Sequence, residues 1–446
     1  MRDDVTLISP CTHTRRMPPL GILYVASYLE MNDISVKVID GFPPRKITDW
    51  RDYETDSPYV GITCMSSQWN RAKEIAQFVK MHNPNATVVV GGVHPTVAAD
   101  AVSKEKNVDI VVVGFGEKAM LKIVKNGVRD GIIYGDSFAN LDDRPFPARH
   151  LVDMKKYTAR DSIVHFHWLR ATSVITSLGC ANACIYCSNS KRAIFGKVVQ
   201  YNSSDYVEHE IEQLVSNYKI EGVYFQDDNF LSWKKRAIHI CKKIERFDLT
   251  WMCESRVDTL DEEMLKCMKS AGCDGVGFGV ESGSPKVLQG LNKRADIGQT
   301  IKAFDLCKKY KMKTLAQMII GSPDETQEDI ALTEKLLDRI KPDYVQFSFL
   351  TPYEGTVLYD MAVEKGWLRA DANMITDDPQ IEINFSLEEL AEIGKRLKRK
   401  YNPFFKSVKP YLNGYFIYDM LKLLWKEPSL ITRGMHEWME ASRLHL

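Results

Sequence analysis

Three cysteines within eight residues constrain this chain more than any other feature. Leu178–Ser190 reads L-G-C-A-N-A-C-I-Y-C-S-N-S, with Cys180, Cys184 and Cys187 at C-x3-C-x2-C spacing. The preceding Ala171–Leu178 (A-T-S-V-I-T-S-L) predicts a short β-strand, with Gly179 as its turn. Thiolates this close in one loop can face a single point, as a metal ion or an iron–sulfur cluster requires. A tetrahedral zinc site normally takes a fourth Cys or His nearby, and none follows within the next dozen positions. Three ligands on a four-iron cluster leave one iron open to an outside molecule. The competing reading is a set of buried or zinc-binding cysteines with no part in catalysis.

At 446 residues the chain has room for two or three domains. Lys+Arg and Asp+Glu both total 59, and this balance argues against a dominant nucleic-acid surface. Seven further cysteines (Cys11, Cys64, Cys241, Cys253, Cys267, Cys273 and Cys307) are scattered without framework spacing. Reduced thiols in a cytoplasmic setting are therefore expected. The N-terminus, M-R-D-D-V-T-L-I-S-P, lacks a signal-peptide core. No run of about 18 apolar residues predicts a transmembrane helix.

Residues 1–135 alternate short apolar runs with helical patterns, which predicts a doubly wound, flavodoxin-like parallel sheet. Strands are expected at Val5–Ile8, Val36–Ile39, Val60–Cys64, Thr87–Val90 and Ile110–Val113. Helices are expected at Leu20–Met31, Arg71–His82 and Glu117–Val124. Ligands of such sheets lie at the carboxyl ends of the strands. Those ends carry Ser66-Ser67, Gly91-Gly92-Val93-His94-Pro95-Thr96 and Gly114-Phe115-Gly116-Glu117. Small residues there let a large flat ligand or a phosphate approach the backbone, although ordinary turns use the same glycines.

Residues 136–167 contain P-F-P and no sustained apolar period, and read as an extended linker packed along a surface. From 168 to 366 a strand–helix rhythm resumes, with six strands that predict a partial, TIM-like (β/α)6 barrel. Polar residues follow the strands: Asp227-Asp228-Asn229, Glu254-Ser255-Arg256, Glu281-Ser282-Gly283, Gly321-Ser322-Pro323-Asp324-Glu325 and Thr351-Pro352-Tyr353. Ser284 and Asp324 could also serve as plain helix caps. In the helical tail, 367–446, Ser386 and Glu389 form a capping box for Ser386–Lys400. The aromatic Tyr411–Trp425 suits a lid over the barrel, or peripheral membrane contact for a lipid-like substrate.

With Tyr186 just before its last cysteine, the cysteine loop resembles the signature of the radical S-adenosylmethionine enzymes. The runs F-Q-D-D-N-F, C-E-S-R-V-D, G-V-G-F-G-V-E-S-G and I-I-G-S-P-D-E-T resemble the radical core of the subclass carrying a cobalamin-binding domain upstream. P-P-L-G-I-L-Y-V-A-S-Y-L, G-G-V-H-P-T and G-F-G-E resemble that domain. Asp324 departs from the glycine usual in the fifth-strand turn, and D-x-H-x-x-G, whose histidine ligates cobalt, is absent.

The resemblance implies a [4Fe-4S] cluster on Cys180, Cys184 and Cys187, with S-adenosylmethionine chelating the open iron. It implies S-adenosylmethionine contacts from Tyr186, Ser255, Arg256, Glu281 and Gly321. A carboxylate such as Glu281 suits an ammonium or ribose hydroxyls, and Arg256 suits a carboxylate. Around cobalamin it places Leu20, Gly21, Ser66, Ser67, Gly91, Gly92, His94, Pro95, Thr96, Gly114, Gly116 and Glu117, with His94 positioning backbone and not ligating cobalt. The implied activity is C-methylation of an unactivated carbon through a 5′-deoxyadenosyl radical and methylcobalamin. The substrate would be a small or lipid-like molecule, and a flavodoxin or ferredoxin the reductant. Alternatives within the superfamily are oxidative cyclisation or carbon–carbon bond formation, and tRNA modification. Zero net charge and the absence of a small basic domain after the core weigh against the last.

Overall fold

Alternating apolar and amphipathic segments build two parallel six-stranded sheets in tandem. The computed structural model describes residues 3–10, 17–41, 50–158, 169–187, 198–368 and 379–402. The first sheet comprises β1 (Val5–Ser9), β2 (Val36–Asp40), β3 (Tyr59–Thr63), β4 (Thr87–Gly91), β5 (Ile110–Gly114) and β6 (Gly131–Gly135). Its helices are α1 (Leu20–Glu30), α2 (Trp69–His82), the short α3 (Val93–Val97) and α4 (Ala99–Val102), and α5 (Gly116–Lys125). The order β2-β1-β3-β4-β5-β6 is doubly wound, as expected, with its topological switch between β1 and β3.

Period-two alternation explains why both faces are covered. Val88 and Val90 pack with Ile75 and Val79 of α2, while Val89 between them packs with Leu23 of α1 and Met120 of α5. The sequence pattern missed β6. Glycine-bounded G-I-I-Y-G buries no alternating face and leaves Tyr134 73% exposed, because it lies at the sheet edge. The expected G-G-V-H-P-T loop in fact winds into α3.

The linker turns carry buried Leu141, Arg144, Ala148 and Arg149. Arg149 Nη1 donates to Glu210 Oε1 at 2.7 Å, fastening the linker to the second half of the chain. That half contains β7 (Ala171–Val174), β8 (Ser177–Leu178), β9 (Gln200–Tyr201), α6 (Ser204–Tyr218), β10 (Gly222–Phe225), α7 (Lys234–Ile244) and β11 (Thr250–Ser255). It continues with α8 (Glu262–Ser270), β12 (Cys273–Glu281), α9 (Pro285–Gly290), α10 (Ile297–Lys309), β13 (Lys313–Ile320), α11 (Gln327–Ile340), β14 (Tyr344–Phe349), α12 (Val357–Glu364) and α13 (Leu387–Tyr401).

Strands run β14-β13-β12-β11-β10-β7, all parallel, with β14 and β7 as the two edges of an open barrel. Val223, Phe225, Trp251, Cys253, Phe278, Ala316 and Met318 form the core beneath the helices. Tyr224, Glu254 and Gln317 alternate with them and stay half-buried on the opposite face. Glu254 accepts there from Tyr224 Oη at 2.7 Å and Gln317 Nε2 at 3.1 Å.

The single strand expected over Ala171–Leu178 is broken. β7 joins the main sheet, whereas β8 leaves it to pair antiparallel with β9. The cause is the buried Asp227 carboxylate, which accepts from Thr176 N at 3.2 Å, Thr176 Oγ1 at 2.8 Å and the Ser177 hydroxyl. In the tail, α13 starts at the expected Ser386/Glu389 capping box. Its basic end is engaged by the protein itself, with Arg396 and Lys400 bonded to Glu334 of α11. Tyr411–Trp425 and Cys11 lie outside the described residues. Among those described, no helix is long and apolar enough to cross a membrane.

Candidate active site

The cysteine loop leaves β8 at the carboxyl rim of the barrel, where Gly179 adopts a φ of +91°. None of the three thiols is in a disulfide. Cys184 is buried, and Cys180 and Cys187 are partly covered. Among the described residues no three Cys, His, Asp or Glu side chains are already gathered as a metal cage. Asn182 Nδ2 approaches Cys180 Sγ at 3.5 Å, and Ile185 is tied on both sides, its N–H to Leu291 O and its carbonyl to Leu358 N–H.

A wall of polar side chains faces this turn. Tyr186 Oη donates to Glu281 Oε1 at 2.9 Å, and Lys293 Nζ donates to the same oxygen at 2.6 Å. Glu281 and Lys293 are both buried. Burial first, and the Glu281 carboxylate second, push the Tyr186 phenol well up. Glu281 itself sits at φ +67°, just after a register shift at the end of β12, a strained placement of the kind found at functional sites. Ser255 Oγ donates to Asn229 Oδ1 at 2.8 Å.

Arg256 departs from the expectation of a free carboxylate clamp. Its Nε and Nη2 hold both oxygens of Asp258, at 2.9 and 2.7 Å, because the carboxylate lies only two residues away on the same turn. Burial opposes the charge of Arg256, but Asp258 outweighs it and raises the pKa, with the Cys184 and Cys180 thiols acting in the same sense. Gly321, at φ +86°, leaves room for Leu390 of α13, and its N–H donates to Glu325 Oε2 at 2.7 Å. Asp324 is no helix cap, since Thr326 caps α11. It takes a left-handed φ of +59°, which aspartate tolerates better than most residues. Ser284 does cap α9.

In the first domain the strand-end residues divide into two groups. Ser66, Ser67, Gly91, Gly92 and His94 stay together at the rim. His94 is buried, with Nδ1 3.2 Å from Ser66 Oγ and its ring 5.1 Å from that of Trp69. Burial, then Lys73, bring its pKa down to about 4, so the imidazole is neutral near pH 7. Gly92 has a φ of +106°, and a Cβ there would lie 2.9 Å from Cys64 O. Leu20 and Pro95 are buried, whereas the exposed Gly21 has open space before it.

The second group makes contacts within the first domain and to the linker. Thr96 accepts from Gly114 N at 3.1 Å and donates to Gly92 O at 2.7 Å. Gly116 is small because α1 approaches it, a Cβ there falling 2.9 Å from Val25 Cγ2. Glu117, which the resemblance places around cobalamin, is buried. It lies 3.8 Å from Arg144 of the linker, whose guanidinium covers the Tyr24 ring. Burial dominates and raises the Glu117 pKa.

The carboxyl ends of the two sheets face each other. Phe115, after β5, clusters with Leu141 of the linker and with Leu178, two residues before Cys180. Gly355, beyond β14, abuts Val97 of α3. Glu354 Oε2 lies 3.4 Å from His94 Nδ1, poorly aimed for a hydrogen bond, and is buried with no donor among the described residues. A bound group with amide N–H donors would satisfy that oxygen. Both donor sets therefore fit what the sequence implies: three thiols outside any disulfide beside a charged wall, and a glycine- and hydroxyl-bearing rim with an unsatisfied acceptor opposite. Sequence reasoning missed Asn292, Lys293, Asp258 and Glu354. Lys293 reaches Glu281 only because β12 and α9 fold back on each other, which no spacing encodes.

The radical SAM superfamily profile matches residues 174–337, and the B12 binding domain profile matches residues 12–124. The chain is 33% identical over 429 residues to an uncharacterized methyltransferase of Pyrococcus horikoshii, covering 90% of each protein. It is 26% identical to an anaerobic magnesium-protoporphyrin IX monomethyl ester cyclase of Rubrivivax gelatinosus, over 78% of this chain and 67% of that one. Its fold is similar to that of the radical S-adenosylmethionine methyltransferase TsrM from Kitasatospora setae, solved with cobalamin and a [4Fe-4S] cluster. The TM-score is 0.68 at 20% identity, over 88% of this chain and 84% of that one. With both profiles matched in tandem and a methyltransferase-named relative similar along 90% of each protein, the chain belongs to the radical SAM superfamily, among members that carry a B12-binding domain ahead of the radical core.

Proposed function

We propose that this chain is a cobalamin-dependent C-methyltransferase acting on an unactivated carbon of a small-molecule substrate. Residues 1–135 serve as the cobalamin domain, 136–167 as the linker, 168–366 as the radical core and 367–446 as a cap. The observation that carries the reading is the apposition of the two strand-end rims through Phe115–Leu178 and His94–Glu354. Two cofactors held on those rims would flank one shared space. Radical generation comes from the cluster with S-adenosylmethionine, and methyl donation from the corrinoid.

The chain's own part is to bind, orient and exclude water. Cys180, Cys184 and Cys187 supply the thiolates. Glu281, held by Tyr186 and Lys293, supplies an acceptor for an ammonium or hydroxyl. Ser255 adds a polar contact from the third barrel strand. Arg256 reinforces the rim through Asp258, its positive charge lying near the thiols. Ser66, Ser67, Gly91, Gly92 and the neutral His94 line the opposite rim. A single-electron reductant of the flavodoxin or ferredoxin class is required. The likeness to the cyclase favours oxidative ring formation as a second reading.

Methyl-deuterated S-adenosylmethionine separates the two readings. The reconstituted enzyme is incubated anaerobically with reductant, cobalamin and candidate substrates, chosen by gene neighbourhood. A product heavier by one labelled methyl supports methylation. An unlabelled product two hydrogens lighter supports cyclisation and overturns methylation.

A further inference from the structure

In the link between α9 and α10, Leu291-Asn292-Lys293-Arg294, the side chain of Asn292 has no role in the assignments above, yet the link touches the cysteine turn, Arg256 and Glu281. Leu291 O accepts from Ile185 N at 3.2 Å. Asn292 Nδ2 donates to Ala183 O at 2.7 Å, between Cys180 and Cys184 in sequence. Lys293 O accepts from Arg256 Nη2 at 2.9 Å, and Lys293 Nζ reaches Glu281. Three consecutive residues thus contact the cysteine turn, the third-strand arginine and the fourth-strand glutamate.

The segment is held in a costly backbone conformation. Asn292 has a φ of +53° and Arg294 a φ of +58°, both left-handed and neither glycine. Such residues persist where surrounding contacts over-determine them. Leu291 provides one anchor, fully buried in a cluster with Val287, Leu350 and Leu358 against which Ile185 and Tyr186 also pack. Arg294 Nε provides another. It donates to Asn292 Oδ1 at 3.3 Å, which turns the amide so that its NH2 points at the cysteine turn.

We infer that Asn292 is a positioning residue: its amide holds the Ala183–Ile185 turn, and with it the three thiols, in register with Glu281 and Arg256. The inference rests on the reading that these thiols bind the cluster. Backbone hydrogen bonds tie the turn at Ile185, to Leu291 and Leu358, and the Asn292 amide adds a side-chain anchor at Ala183, between Cys180 and Cys184 in sequence. The plainer account is that asparagine is present only because it tolerates left-handed backbone.

Two substitutions separate these accounts. Asn292→Gly keeps the backbone conformation and deletes the donor. Asn292→Asp keeps size and turn tolerance but turns an acceptor toward Ala183 O. The first measurement uses the full-length apo-protein and hydrogen–deuterium exchange of the peptide covering residues 178–187. Both variants should exchange there about five-fold faster, the factor an ordinary hydrogen bond contributes, while peptides across 222–255 exchange as in wild type. The second follows iron release from the reconstituted protein to a chelator, with the EPR spectrum of the reduced protein. Both variants should lose iron about five-fold faster and show an altered signal. Wild-type exchange at 178–187 in both variants overturns the proposal, as does a uniform rise across all peptides. If wild type binds no cluster, the functional reading fails, and the apo exchange still decides the role of Asn292 in holding the turn.

Discussion

Buried charge at single positions decides much of the behaviour expected of this site. Lys293 and Glu281 are both buried and bonded to each other at 2.6 Å. Lys293→Met should destabilise the protein by about 3–5 kcal/mol in urea unfolding, because the carboxylate loses its cation. The double variant with Glu281→Gln should recover most of that loss. Glu325 gives a pH dependence. Its carboxyl is pushed up to about 7 from 4.5, chiefly by burial, with Asp329 adding to the rise and the Gly321 and Ser322 amides and Lys286 opposing it. The folded state therefore binds more protons than the unfolded one between those values, so the stabilisation is complete below 4.5 and lost as pH rises through 7. Glu325→Gln cannot ionise. Its melting temperature should match wild type near pH 4.5 and exceed it by a growing margin toward pH 8.

The scale of strands and helices is where sequence reasoning was most successful. Period-two runs such as Thr87–Val90 and capped helices such as Ser386–Lys400 carry their cause locally, and the observed elements begin and end close by. Ser386→Ala should cost about 1 kcal/mol through loss of the N-cap, read as a lower melting temperature, since α13 packs on Gly321 through Leu390. Where the cause is distant, the pattern misleads. The break after Val174 is imposed by Asp227, about fifty residues away, and nothing in A-T-S-V-I-T-S-L announces it. The site shows the same division. The three cysteines, Tyr186, Ser255, Arg256 and Glu281 were legible as strand-end chemistry. Asn292 and Lys293 were not, because they reach the rim from a helix–helix link. Glu117 looked like its rim neighbours, but a linker arginine far along the chain buries it.

Over the whole molecule, two sheets oppose their carboxyl rims across a linker bolted down by Arg149–Glu210 and Arg144–Glu117. Each rim alone is an ordinary ligand edge of a parallel α/β sheet. In the proposed reading their opposition would let two cofactor sites share one reaction space, and Phe115, Leu141 and Leu178 pack together between the two halves. The most direct test uses anaerobically reconstituted wild type beside Cys180→Ala, Cys184→Ala and Cys187→Ala, supplied with hydroxocobalamin, reductant and S-adenosylmethionine. Wild type should show charge-transfer absorbance near about 400 nm, retain a corrinoid spectrum after desalting, and release 5′-deoxyadenosine. The cysteine variants should keep the corrinoid and lose the other two. Wild type that retains neither cluster nor corrinoid, or that leaves S-adenosylmethionine intact, would contradict the account.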